Sequence, residues 1–403
     1  MANPLNPLSL AGMHKGPRAA WSAAAVLALA GVVWAAGATS RPAPAWPRKQ
    51  IGQTQLYLTF VINGHEFIRH EHSARTLGRL IDLFERHKLR AELYLTAPLV
   101  EAYLAKQPEL IAKLKRSRMT ISYHYRPPHP ACFRTPAGRE LATLGWEDRL
   151  AAFRGLERRG WDAATGRTRS QGIGGYALVK NTFGRAPVAC GTGAVEPGLR
   201  RAELAVLREM GLRAVVTYHE SGSDDARPLM YRDGLLVRPA DFAIARYLPP
   251  DAHKPLPPPD RLPFWWNRLA AGDRRAEPTD LLKQQMARLA PGRVCFAPCL
   301  IHENDFFAQG VAWRAMYFDA DGRPLRPPYA PPDERTLAQR VPLRSPAEAE
   351  AIWAAYERLV AYVAGDPRIR AVTSEDLLAM IEPPSRPDAH EAARPRKCGF
   401  SEN

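Results

Sequence analysis

Residues 119–130 read Met-Thr-Ile-Ser-Tyr-His-Tyr-Arg-Pro-Pro-His-Pro, and the way this stretch changes character half-way decides how the chain is parsed. Met119, Ile121 and Tyr123 alternate with Thr120 and Ser122, the two-residue period of a strand. Pro127 and Pro128 lack backbone donors and cannot continue it, so the strand ends near His124. The loop beyond it is stiff and carries His124, Arg126 and His129. Imidazoles on a rigid connector at a strand end suit a proton or a metal better than they suit packing. The plainer alternative is a proline-rich turn with two surface histidines.

Working outward, the same parsing recurs. Leu56 to Ile62 is apolar enough for a buried parallel strand, and Ser73 is placed to cap a helix whose Leu77, Leu80, Ile81 and Phe84 share a face. Ala91 to Thr96 forms the next strand. Pro108 opens a helix with Leu110, Ile111 and Leu114 on one side, which leads back to Met119. Strands alternating with helices imply a parallel sheet with right-handed crossovers. Beyond Ala131 the signals weaken, with a helix expected over Trp146 to Arg159 and irregular chain after it. Gly172 to Tyr176 reads as a surface turn, because no strand precedes it as a phosphate-binding loop would need. The alternation resumes with a strand Ala186 to Cys190, a helix Leu199 to Met210 closed by Gly211, and a strand Arg213 to Tyr218. Asp233-Gly234 marks a hairpin turn. A strand from Arg293 to Ile301 runs into His302-Glu303-Asn304-Asp305, followed by a proline-rich loop to Pro332. Ser345-Pro346-Ala347-Glu348 is a capping box that opens a helix ending at Gly365. A strand Ile369 to Thr373 and a helix Glu375 to Ile381 complete the pattern.

The chain has 403 residues and a net charge of +15. Its Arg and Lys are scattered, with no dense run and no interleaved aromatics, which argues against nucleic acid and for a generally basic surface. Residues 19–38 carry no charge and follow Lys15 and Arg18. A helix of that length spans about 30 Å, so it is read as a transmembrane anchor or, since Ala36-Gly37-Ala38 fits a cleavage site, as a signal peptide. Either exports the rest. The expected organisation is a cytoplasmic stretch 1–18, the apolar segment 19–38, a proline-rich linker 39–53, an α/β domain 54–382 and a disordered tail 383–403. Five cysteines in a chain this long make no disulfide scaffold. Cys295 and Cys299 stand about 13 Å apart along a strand, too far for a bridge, so at most one long-range disulfide is expected.

Histidines mark the strand ends. His65 and Glu66 follow the first strand, His124 and His129 the third, His219 and Glu220 the one after Gly211, and His302, Glu303 and Asp305 the last long one. In parallel α/β sheets and barrels the loops at the C-terminal strand ends converge, so these groups are expected to meet. His65 and His70 are five residues apart, not the four that would put both on one face of a zinc-protease helix, so that assignment is rejected.

Taken in order, these parts resemble the polysaccharide deacetylases, a family of metal-dependent carbohydrate esterases. The resemblance covers about residues 54–381. It implies a distorted (β/α)7 barrel that removes acetyl or other acyl groups from a polysaccharide or cell-envelope glycan. It also implies a divalent metal, Zn²⁺ first among candidates, held by His124, His129 and Glu66. His302 would protonate the leaving group, His65 or a neighbouring carboxylate would take a proton from water, and Arg126 would orient a carboxylate or neutralise the oxyanion. The family's opening motif follows Thr-Phe with two aspartates and glycine, whereas Thr59-Phe60 here is followed by Val61-Ile62-Asn63-Gly64-His65-Glu66. Only Glu66 or Asn63 is left for the carboxylate role, and the histidine pair is one residue wider than usual. Glu66 also stands three residues from Arg69, a ready ion-pair partner. Two alternatives remain: a glycoside hydrolase using carboxylates from among Glu66, Glu220, Glu303 and Asp305, and an inactive glycan-binding barrel with Trp265 and Trp266 as its platform.

Overall fold

The structure is a computed structural model. It describes residues 41–42 and 56–380, apart from 128, 133–134, 163–164, 193–195, 218–228, 240–264, 288–294, 311, 320–322 and 324. The chain divides into two compact units, residues 1–39 and 40–403, and every described residue belongs to the second. The apolar segment 19–38, the tail from 383, His219 and Glu220 lie outside the described residues. Among the described residues no helix is long and apolar enough to cross a membrane.

Seven strands run in parallel and in barrel order: β1 (Leu56–Gly64), β2 (Glu92–Thr96), β3 (Thr120–His124), β4 (Ala189–Thr192), β5 (Ala214–Thr217), β6 (Leu235–Pro239) and β7 (Cys295–His302). The sheet order is β7-β1-β2-β3-β4-β5-β6, extended past β6 by two short antiparallel strands, Met230–Arg232 and Arg41–Pro42. A further strand, β8 (Ile369–Ala371), pairs with the first residues of β1. No pairing among the described residues joins β6 to β7. Where a closed barrel was expected, the described residues form a curled half-barrel sheet. Arg41–Pro42, expected within a linker, adds an edge strand instead.

Alternation along β1 sorts its side chains onto two sides of the sheet. Leu58, Phe60 and Ile62 join the core against the helices, while Tyr57 and Val61 join a smaller cluster with Tyr94, Val216, Leu236, Phe296 and Leu300. All nine residues of β1 are buried, as a central parallel strand requires.

Most helices fall where the apolar spacing places them, including Trp146–Arg159 and Pro346–Gly365, the latter with the Ser345/Glu348 capping box in place. Three expectations change. The first helix starts at His70, so Ser73 lies inside it, and its hydroxyl bonds the Tyr103 hydroxyl at 2.6 Å instead of capping. Gly174 and Gly175 open a helix, Gly175–Phe183, where a surface turn was expected. A Cβ on Gly174 would stand 2.0 Å from the Glu157 carbonyl oxygen, so glycine is there to let two backbones touch. The loop toward Pro332 also holds a helix, Ala312–Tyr317. The Asp233-Gly234 turn matches its reading, with positive φ of 49° and 79° at the two residues.

Candidate functional site

Parallel pairing levels the strand ends. His302 lies opposite Asn63, Gly64 opposite Leu95, Thr96 opposite His124, and His124 opposite Gly191. The residue after β1 therefore sits between the ends of β7 and β3. That residue is His65. Its ring centroid is 4.9 Å from that of His124 and 5.1 Å from that of His302. All three imidazoles are buried, and Trp266 lies edge-on to His302 at 6.4 Å. Trp266 is fully buried and so offers no open platform for a sugar ring.

Two of the three rings have their tautomer set by their partners. His124 Nδ1 stands 2.8 Å from the Gly191 carbonyl oxygen, which can only accept, so Nδ1 carries the proton and Nε2 the lone pair. His302 Nδ1 donates in the same way to Asp305 Oδ2 at 3.0 Å, and the same oxygen accepts the His302 backbone N–H at 2.8 Å. Burial, reinforced by the nearby Arg126 guanidinium, holds His65 and His124 well below the ordinary imidazole pKa, so both stay neutral. Glu303 anchors the turn that carries His65. Its Oε1 accepts the backbone N–H groups of His65 and Glu66, both at 2.6 Å, and the Ser73 hydroxyl at 3.2 Å. Burial raises the Glu303 carboxyl to about 8.

The expected metal ligands part company. Glu66 is fully buried, and Arg69 holds its carboxylate through Nη2 at 2.9 Å and Nε at 3.3 Å. His129 leaves the strand-end cluster altogether. Its ring stacks on Tyr125 at 4.4 Å, and its Nε2 lies 3.2 Å from Glu157 Oε1 and 3.5 Å from Glu203 Oε1. The Ala131 N–H donates to His129 Nδ1 at 3.2 Å. Burial alone would lower the pKa of His129, but the two carboxylates override it and raise it to about 9; burial and the Glu157 charge likewise push Glu203 up to about 8. Among the described residues, His129, Glu157 and Glu203 form the one group of three whose ligand atoms all lie within 4.8 Å of one another. The set His124, His129 and Glu66 is therefore not a ligand set here, and the carboxylate it needed is committed to an arginine.

A cavity of about 280 Å³ reaches both clusters. Its wall includes His124 and Arg126 from the first and His129 and Glu157 from the second, with Tyr125, Trp161, Tyr317 and Tyr329 among the aromatic lining. Of the sequence-derived candidates, His65, His124, His302 and Arg126 come together, while Glu66 and His129 are each diverted to another partner. Asp305 was seen only as a spare acid. Glu157 and Glu203 were missed, although each sits on an otherwise apolar helical stripe: Glu157 four residues after Phe153, and Glu203 four after Leu199. A carboxylate on a buried stripe was the available signal. Cys132, Cys190 and Cys299 are buried and form no disulfide.

No family model matches the chain, and no curated protein does. Solved structures similar to it include the 4-alpha-glucanotransferase of Thermococcus litoralis, at 14% identity and a TM-score of 0.45 over 81% of this chain. This chain spans only 40% of that enzyme's length. Puue allantoinase matches at 13% identity and a TM-score of 0.44, with 84% of this chain and 93% of the other covered. The peptidoglycan deacetylase PdaC of Bacillus subtilis matches at 11% and 0.33, with 81% and 92% covered. Deacetylase structures are thus among those this chain is similar to.

Proposed function

We propose that the chain is a hydrolase that removes acyl groups from a polysaccharide or cell-envelope glycan, acting through His124, His302 and His65 at the strand ends. One observation carries the proposal: a neutral, buried His124 whose Nδ1 proton is held by a backbone carbonyl, at the edge of an aromatic-lined cavity, in one cluster with a buried His302 whose Nδ1 is tied to Asp305. A neutral Nε2 is a general base for water. Asp305 would do for His302 what the carboxylate does in hydrolytic His-Asp pairs, fixing the tautomer and stabilising the imidazolium once it forms. Attack on an acyl carbonyl creates an oxyanion, and the Arg126 cation, on the same cavity wall as His124, is placed to stabilise it. The proton gained by the imidazole then goes to the departing sugar amine or hydroxyl. The aromatic wall suits the apolar faces of sugar rings. No step is assigned to a metal, because the residues the family resemblance implies as ligands do not form a set.

The glycoside hydrolase alternative is disfavoured by the same geometry. Glu66 is held by Arg69 and Asp305 by His302, so two of its four carboxylates are already engaged. Export through residues 19–38, with the domain outside the cytoplasm and tethered or released, completes the proposal; its support is the uncharged run and the basic residues before it. The test is release of acetate from acetylated chito-oligosaccharides and acetylated xylan by the full chain. Acetate release without chain shortening is the expected result, and shortening of the oligosaccharides without acetate release would overturn it.

A further inference from the structure

The His129, Glu157 and Glu203 cluster serves none of the chemistry above, and its composition is that of a ligand set. We propose that it binds a divalent transition-metal ion, Zn²⁺ or Mn²⁺, at a site separate from the strand-end imidazoles.

Three observations support this. The three donors already stand within ligand reach of one another, with Nε2 at 3.2 and 3.5 Å from one oxygen of each glutamate. One imidazole with two carboxylates is a mixed nitrogen and oxygen set suited to these ions. Glu203 is fully buried, neither of its oxygens takes part in a hydrogen bond of good geometry, and its close polar neighbours are the other two members of the cluster, His129 and Glu157. A buried carboxylate is normally paired and hydrogen-bonded, or it coordinates a metal. The outer shell is also built. Glu157 Oε2 accepts the Tyr176 N–H at 3.1 Å, which leaves Oε1 aimed at His129, and the Tyr123 hydroxyl donates to Oε1 from 3.4 Å. His129 and Glu157 border the cavity, so an ion has a way in.

Binding has a cost that the geometry makes explicit. The Ala131 N–H now takes the Nδ1 lone pair, so the ring proton is on Nε2 and points at the carboxylates. An ion at Nε2 shifts that proton to Nδ1 and gives up the Ala131 bond, so the loss of that bond is the cost of binding.

The test uses the full 403-residue chain, stripped with a chelator, reloaded with excess ZnCl₂ or MnCl₂, desalted and assayed for metal. The expected result is one ion per chain in the wild type and in His124→Ala, and loss of it in Glu203→Gln, a change that keeps the side-chain shape. X-ray absorption on the zinc-loaded wild type should show a single imidazole in a mainly oxygen shell, a reading that needs no variant to fold. An ion lost in His124→Ala but kept in Glu203→Gln, a shell with two or three imidazoles, or no retained ion in the wild type would each overturn the proposal. Acetate release is not part of the readout, so this site can fail while the proposed hydrolase stands, and the reverse.

Discussion

His124 and His129 are five residues apart, both buried, and both border one cavity, yet the structure treats them in opposite ways. His124 faces other imidazoles and the Arg126 cation; burial and that charge lower its pKa, and a backbone carbonyl fixes its proton on Nδ1. His129 faces two buried carboxylates that raise its pKa to about 9, and a backbone N–H occupies its Nδ1. The same side chain is kept neutral in one setting and holds its proton more tightly in the other. Residue type and spacing did not separate these roles. What separates them is which charges the helices bring up behind the loop.

The largest expected effect comes from removing the base. His124→Ala should lower kcat/KM for deacylation by about 10²–10⁴-fold, with the fold intact by circular dichroism. A Glu203→Gln protein should lose far less. If the two losses were equal, the distinction between the clusters would fail. Asp305→Asn comes next, because it takes the acceptor from His302 Nδ1 and lets the ring adopt the wrong tautomer; a loss within about the same range, in kcat and not in KM, is expected. Steady-state kinetics would check both.

A smaller effect concerns the anchor of His65. Glu303→Ala strands two buried N–H groups and should cost about 1–3 kcal/mol in urea unfolding, whereas Glu303→Gln keeps an acceptor for them. The sign of its pH dependence comes from the raised carboxyl. The folded chain keeps a proton up to about pH 8 that the unfolded chain releases near its ordinary 4.5. The Glu303 contribution to stability should therefore fall as pH rises between those values and level off above them, and Glu303→Gln should make the slope shallower, leaving the part due to Glu203, whose carboxyl is raised to the same range. An unchanged slope in the Gln protein would place the titrating group elsewhere.

Much of the frame was legible in the sequence because it rests on local rules. The apolar run 56–62, the Trp146–Arg159 stripe and the Ser345 capping box each report a physical constraint within a few residues. The meeting of His65, His124 and His302 was also legible, since parallel strands put their C-terminal ends level. The fate of Glu66 was half visible, with Arg69 one turn away. Barrel closure was not, because it depends on whether β6 and β7 pair, and no local pattern states that. Nor were Glu157 and Glu203, which come from helices 46 residues apart in sequence and meet His129 only after the helices pack. Gly174 misled for a related reason: its role is to let one backbone approach another, and the partner is remote from the motif.

The most direct measurement is nitrogen-15 NMR of the histidine rings in the full chain, titrated from neutral pH downward. His124, assigned by single substitution, should give the neutral Nδ1–H pattern and keep it below its ordinary pKa of 6.5. A His124 ring that is already charged at neutral pH, or that carries its proton on Nε2, would contradict the base assigned to it and the catalytic site built around it.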